Sequence, residues 1–185
     1  MQKLGFFGGC FNPPTIAHLE LAKKAIEIAK LDKLYFVPMG DFYKKEKLLP
    51  AEERIKMLEL AIKNDMKLEV SRIQMEQNKK LYAIDTFKII SEKYNNSDNF
   101  FIMGSDNFEK IRAWKDSKEL LENYKYIVFN RKDFSGEDVI IVEEDVKIKN
   151  ISSSLVRSKI LKNENIDSLV SEEIRDYIFK NNLYK

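Results

Sequence analysis

The sequence predicts an α/β protein, a doubly wound and mostly parallel sheet formed by a single domain. Short runs rich in β-branched and aromatic residues alternate along the chain with longer stretches of helical period. Five or six strands with crossover helices imply a mostly parallel, doubly wound sheet. The 185 residues, 44% hydrophobic and 34% charged, have the size and composition of one globular core.

Leu4 to Phe7 reads as a buried first strand. From Ile16 to Lys30 the apolar positions Leu19, Ala22, Ile26 and Ala29 step by three and four, so a helix follows it. Leu34 to Val37 is a second strand, closed by Pro38. Pro50 stands at a helix start with Glu52 and Glu53 in the first turn, and Ile55, Leu58 and Ile62 form its inner stripe. Leu68 to Val70 is a third strand, followed by a helix over Ala83 to Lys93. Phe100 to Met103 and Lys125 to Phe129 read as further strands with short helices between them, and Val139 to Val142 as the last. Ser152 to Lys162 and Glu172 to Lys180 close the sequence as helices. Met39 to Leu49 and Asp133 to Glu137 read as loops. A sheet of this kind is Rossmann-like, and its ligands bind beyond the carboxyl ends of the strands.

Charge and cysteine usage narrow the function classes. With 32 basic and 30 acidic side chains the net charge is +2, so no overall field points to nucleic acid or a membrane surface. An anion site must be local. Cys10 is the single cysteine and His18 the single histidine, which leaves no intramolecular disulfide and too few ligands for a Cys/His zinc site. A reducing, cytoplasmic setting is expected. Residues 1 to 15 lack the pattern of a signal peptide, and no window approaches the roughly 18 apolar residues of a membrane span.

Two stretches carry the chemistry. Gly8-Gly9-Cys10-Phe11-Asn12-Pro13-Pro14-Thr15-Ile16-Ala17-His18 follows the first strand. Gly8 and Gly9 would let a phosphate approach the main-chain amides, Asn12 would cap the helix, and the prolines would sit in its first turn. Thr15 and His18, three apart, share the face where unpaired N–H groups and the helix dipole favour an anion. A tight strand-to-helix turn with a packed histidine would look the same in sequence. Near the end, Ile151-Ser152-Ser153-Ser154 opens a helix with Arg157 one turn in, so hydroxyls, amides and a guanidinium can converge on phosphate oxygens. A serine-capped helix with a solvated arginine is the plainer reading. Two such helix starts together predict a polyphosphate site.

These residues resemble the nucleotidyltransferase superfamily with its (H/T)xGH and ISSxxxR motifs. Within it the sequence is similar to the bacterial nicotinate-nucleotide adenylyltransferase family. That narrower likeness rests on Tyr82-Ala83-Ile84-Asp85-Thr86, Ile102-Met103-Gly104-Ser105-Asp106 with Trp114, Phe129-Asn130-Arg131, and Tyr177-Ile178 with Leu183-Tyr184. The resemblance implies one domain over residues 1–185, with the helices at about 152–180 packed on it. It implies transfer of AMP from ATP to nicotinate mononucleotide, with Mg²⁺ carried mainly by the ATP phosphates. No protein metal ligand is implied, and the acceptor's phosphate is already an anion that needs no general base.

The likeness also assigns roles. His18, Thr15 and Arg157 become the catalytic residues; Gly8, Gly9, Phe11, Gly104, Asp106, Ser152 and Ser153 join them around ATP. Tyr82, Asp85, Thr86 and Trp114 take the pyridine substrate, and Lys44 and Lys45 are candidate phosphate contacts. The sequence departs from the family pattern in Thr15, where histidine is frequent, in Ala17 for glycine, in Cys10 for serine or threonine, and in Phe42-Tyr43-Lys44-Lys45-Glu46-Lys47 for a Pro-Pro-His-Lys loop. Threonine at the first motif position, with Lys44, Lys45 and Glu52-Glu53-Arg54, also resembles phosphopantetheine adenylyltransferase. A nucleotide-binding sensor of the same fold without turnover is the alternative outside catalysis. The sequence leaves the oligomeric state open, a homodimer included.

Overall fold

A computed structural model of the chain describes residues 1–43, 46–130, 139–143, 145 and 148–185. Lys44, Lys45, Arg131 and the loop from Asp133 to Glu137 lie outside the described residues. Six parallel strands, β1 (Gln2–Gly9), β2 (Lys33–Pro38), β3 (Leu68–Val70), β4 (Ser97–Gly104), β5 (Lys125–Asn130) and β6 (Val139–Glu143), form one sheet in the order β3-β2-β1-β4-β5-β6. Among the described residues seven α-helices accompany them: α1 (Ile16–Ala29), α2 (Ala51–Ile62), α3 (Ala83–Lys93), α4 (Ser105–Phe108), α5 (Ser117–Asn123), α6 (Ser153–Leu161) and α7 (Glu172–Lys180). The strand order reverses between β1 and β4, so the crevice of the fold opens where these two strands end.

Alternation along the strands sends side chains to opposite faces. Phe7, Phe36, Phe100, Ile102, Ile127 and Phe129 pack beneath α1 and α2, with Leu21, Ala22, Ala25, Ile26 and Leu58. Leu4, Phe6, Phe101, Met103, Tyr126 and Val128 pack on the other face with Ile84, Phe87 and Ile90 of α3 and Leu120 of α5. Gly5 is fixed by this packing, because a Cβ there would meet Leu31 Cδ1 at 2.6 Å and Ile102 Cδ1 at 2.8 Å. A third cluster joins Met57 of α2 to Val156 and Ile160 of α6 and to Ile174 and Ile178 of α7. Ser152 and Ser171 cap these last two helices by accepting from Leu155 N–H and Ile174 N–H.

Two expectations are corrected at the first strand-to-helix turn. The strand does not end at Phe7; β1 runs on through Gly9, and the pairing continues where Met39 N–H donates to Gly9 O at 2.9 Å. Asn12 is not the helix cap, and Pro13 and Pro14 stand ahead of the helix rather than in its first turn. The cap is Thr15, extended at φ −126° and ψ 164°, and α1 begins at Ile16.

Candidate active site

Two helix starts meet in space. Ser153 Oγ donates to Pro13 O at 2.7 Å, and Arg157 donates through Nη1 to Asn12 O at 2.7 Å and through Nη2 to Ser154 Oγ at 3.3 Å. The ISSS turn and its arginine are therefore bound to the loop between β1 and α1, although 140 residues separate Ser153 from Pro13. Ser152 is exposed and occupied in capping α6.

At the start of α1, Thr15 is fully buried and tied to His18. Its N–H donates to His18 Nδ1 at 3.0 Å, and its Oγ1 lies 2.8 Å from the same nitrogen. A ring nitrogen that accepts an amide hydrogen carries no proton, so the neutral imidazole bears its proton on Nε2. The ring also packs against Phe11 and Phe7, at centroid distances of 5.2 and 6.1 Å. The amides of α1 are less available than the sequence suggests. Thr15 N–H goes to His18, and Ile16 N–H donates to Leu169 O at 2.9 Å.

Phe11 has φ 49°, and its ring is buried at 1% exposure against Phe7, Phe36 and His18, so only its main chain can face a ligand. Gly9 is needed for that ring, since a Cβ would stand 2.8 Å from Phe11 Cζ. Gly8 differs, because a Cβ on it would meet nothing within 4 Å. It faces open space.

That space is a cavity of about 660 Å³ at the carboxyl ends of β1, β2 and β4. Gly8, Gly9 and Cys10 form one side, and Tyr82, Thr86 and Trp114 the other. Phe6, Phe87 and Phe101 give it an aromatic lining. Thr86 is buried; its Oγ1 donates to Tyr82 O at 3.3 Å and accepts from Gln74 Nε2 at 3.2 Å, while Gln74 Oε1 accepts from Gly40 N–H at 3.0 Å. Asp85 does not line the cavity. Its Oδ2 accepts from Tyr82 N–H at 2.8 Å, bracing the start of α3, and its Oδ1 lies 3.8 Å from Lys115 Nζ. Gly104 and Asp106, at the end of β4 and in α4, lie outside the lining.

Several residues of this region escaped the sequence reading. Tyr43, Gln74, Lys80 and Lys115 line the cavity, and the two ammonium groups stand 5.7 and 5.0 Å from the Tyr82 ring centroid. Tyr43 donates its hydroxyl to Leu81 O. Arg54 is completely buried beneath the site, where it donates to Leu49 O at 2.8 Å, Cys10 O at 2.9 Å and Met39 O at 2.6 Å. Burial pushes its guanidinium below the ordinary value, and the Asp41 carboxylate opposes that shift. Its place inside a charged run, Glu52-Glu53-Arg54, gave no sign of burial. Charge alone reads as surface.

The sequence model of the cytidylyltransferase-like family matches residues 6–159. A "Probable nicotinate-nucleotide adenylyltransferase" of Clostridium acetobutylicum is 38% identical over all of this chain and all of its own. A protein of the same name from Halalkalibacterium halodurans is 33% identical, covering 100% of this chain and 92% of its own. Among solved structures, Plasmodium falciparum nicotinic acid mononucleotide adenylyltransferase complexed with NaAD superposes with a TM-score of 0.87 at 22% identity, covering 100% of this chain and 98% of the other. The joined helix starts, the glycine-lined crevice and full-length relatives at this identity agree, and the chain belongs to the nicotinate-nucleotide adenylyltransferase family within the cytidylyltransferase-like group.

Proposed function

We propose that the protein transfers AMP from ATP to nicotinate mononucleotide, releasing pyrophosphate and forming the deamido dinucleotide of NAD biosynthesis. The observation that carries this is the docking of Ser153 and Arg157 onto the Asn12-Pro13 loop, beside a cavity that shares Gly8 and Gly9. The triphosphate lies over the glycine strand end, between His18 and Arg157. The aromatic cavity holds the acceptor. An oxygen of the acceptor's phosphate bonds to the α-phosphorus while the bond from that phosphorus to the bridging oxygen breaks, and the pair of electrons leaves with pyrophosphate. The nucleophile is already ionised, so the protein's work is alignment and charge stabilisation.

Each residue has a task in this reading. His18 donates from Nε2 to the phosphates, and Thr15, being buried, acts through His18 rather than on the nucleotide. Arg157 and Ser153 fix the loop, and Arg157 brings positive charge to it. Asp106 is exposed past β4, within the reach of a ribose hydroxyl or metal-bound water. Trp114 and Tyr82 offer ring faces to the pyridine, and the first amides of α3 suit its carboxylate.

Mg²⁺ would neutralise charge on the phosphates. Among the described residues no group of three or more His, Cys, Asp or Glu side chains could hold a metal ion. An ion held by phosphate oxygens and water needs few protein ligands. Among those residues no helix is long and apolar enough to cross a membrane, and the lone Cys10 fits a reducing, cytoplasmic setting.

The test is pyrophosphate release with Mg²⁺ and ATP against three acceptors. Nicotinate mononucleotide should be used best, and the nicotinamide form less well because an amide cannot replace a carboxylate among N–H donors. Equal or better use of the amide overturns the acceptor assignment. Turnover with phosphopantetheine alone establishes the alternative enzyme, and ATP binding without pyrophosphate release establishes a sensor.

A further inference from the structure

The residue that joins the most segments around the site is Asn12. The residue is buried, at 5% exposure. Its Nδ2 donates to Lys47 O at 2.8 Å, and its Oδ1 accepts from Leu49 N–H at 3.2 Å and from Tyr184 Oη–H at 3.0 Å. Its own carbonyl takes Arg157 Nη1 at 2.7 Å. One asparagine thus ties the loop after β1, the segment before α2, the arginine of α6 and the residues that follow α7.

The tie from Tyr184 comes from the far end of the sequence, 172 residues away. Its ring packs with Leu183 and Tyr177 against the cluster of α2, α6 and α7. Its hydroxyl alone leaves that cluster to reach the loop. Burial raises the phenol far above its ordinary value, with Arg157 and Arg54 opposing, so the hydroxyl keeps its proton and remains a donor.

We infer that Tyr184 is a positioning residue for the donor site: through Asn12 it fixes the loop carbonyl to which Arg157 is bound, and so sets where that guanidinium meets the triphosphate. The inference rests on the proposed placement of ATP between α1 and α6, and it does not depend on the identity of the acceptor. Removing one hydroxyl should let the loop and Arg157 depart from the bound geometry without emptying the ring's packing site.

The test is Tyr184→Phe in the full chain, with Mg·ATP affinity measured by calorimetry in the absence of acceptor and kcat and KM measured with nicotinate mononucleotide. The Kd for Mg·ATP should rise roughly threefold to tenfold, the range of one net hydrogen bond. The KM for the acceptor should stay within about twofold, inside the range of a surface-scale perturbation. Tyr177→Phe is the control. It removes a comparable bond, Tyr177 Oη to Glu53 Oε2 at 3.0 Å, from the same part of the chain without touching Asn12, and it should leave the ATP affinity unchanged. An unchanged ATP affinity in Tyr184→Phe overturns the inference, and so does an equal loss in Tyr177→Phe, which would assign the effect to the packing of α7. Because ATP binding is read without acceptor, failure of nicotinate mononucleotide as substrate is seen separately in the wild-type protein.

Discussion

His18 is oriented by two atoms of a single residue, and that arrangement separates the work of the histidine from that of its support. Thr15 N–H and Oγ1 both address Nδ1, so the ring has one tautomer and one direction. In the proposed role, His18→Ala removes the Nε2 donor from the charge that develops on the leaving pyrophosphate, and kcat should fall by on the order of 10²-fold or more. Thr15→Val keeps the main-chain bond and the buried volume but removes the hydroxyl. It should lower kcat by about tenfold or less, the scale of one hydrogen bond that acts through another group. Steady-state kinetics beside thermal melts check both. Equal losses in kcat from the two variants, or a drop in melting temperature that matches the drop in activity, would make the pair a packing feature of the first turn of α1. The histidine itself is visible in sequence from its place after a strand and two glycines. Thr15's burial is not, because a helix cap at a ligand site and a helix cap in the core use the same residue types.

At the scale of elements, the end of β1 shows two adjacent glycines with different reasons to be glycine. Gly9 makes room for the Phe11 ring, and Gly8 leaves room for whatever enters the cavity. Gly9→Ala should destabilise the protein by about 1–3 kcal/mol, since the buried ring cannot shift without disturbing Phe7, Phe36 and His18. Gly8→Ala should melt close to the wild type yet weaken Mg·ATP binding. Urea unfolding and calorimetry on the two variants distinguish them, and a reversal of the two outcomes would move the ligand from Gly8 to Gly9. Periodicity recovered α3 at Ala83–Lys93, β3 at Leu68–Val70 and α7 at Glu172–Lys180, because each has a clear break at both ends. It cut β1 short at Phe7 because Gly8 and Gly9 have no side chain to register on either face. It put Asn12 in the capping position because a buried asparagine that bridges distant segments leaves no local pattern. Beyond Gly8 and Gly9, the apolar cavity was legible through Tyr82, Thr86 and Trp114, whereas Lys80, Lys115 and Tyr43 come from loops where such residues are ordinary surface.

At the scale of the whole molecule, the reversal of strand order between β1 and β4 divides the crevice into two halves with different chemistry. Beneath α1 and α6 lie the histidine, the serine and the arginine, and beneath α3 lies the aromatic cavity. Gly8 and Gly9 at the end of β1 border both, and in the proposed placement the donor and acceptor bind to separable surfaces and should report separately. Trp114 is the only tryptophan, stands half-buried and lines the cavity proposed for the acceptor. Its emission is therefore a signal from one half. Nicotinate mononucleotide without ATP should quench or shift that emission saturably, because an electron-poor ring stacked on indole provides a direct quenching path. ATP alone should change it much less, since the triphosphate half contains no indole. Trp114→Ala should raise the KM for the acceptor by about tenfold, the scale of an aromatic pair and the area it covers, and leave the KM for ATP nearly unchanged. Part of the Trp114 ring also packs against the cluster beneath α3, so the variant's stability must be measured as well. Emission that ignores the acceptor, with an unstable variant whose KM is unchanged, would make Trp114 a core residue and place the pyridine against the exposed ring of Tyr82, between Lys80 and Lys115.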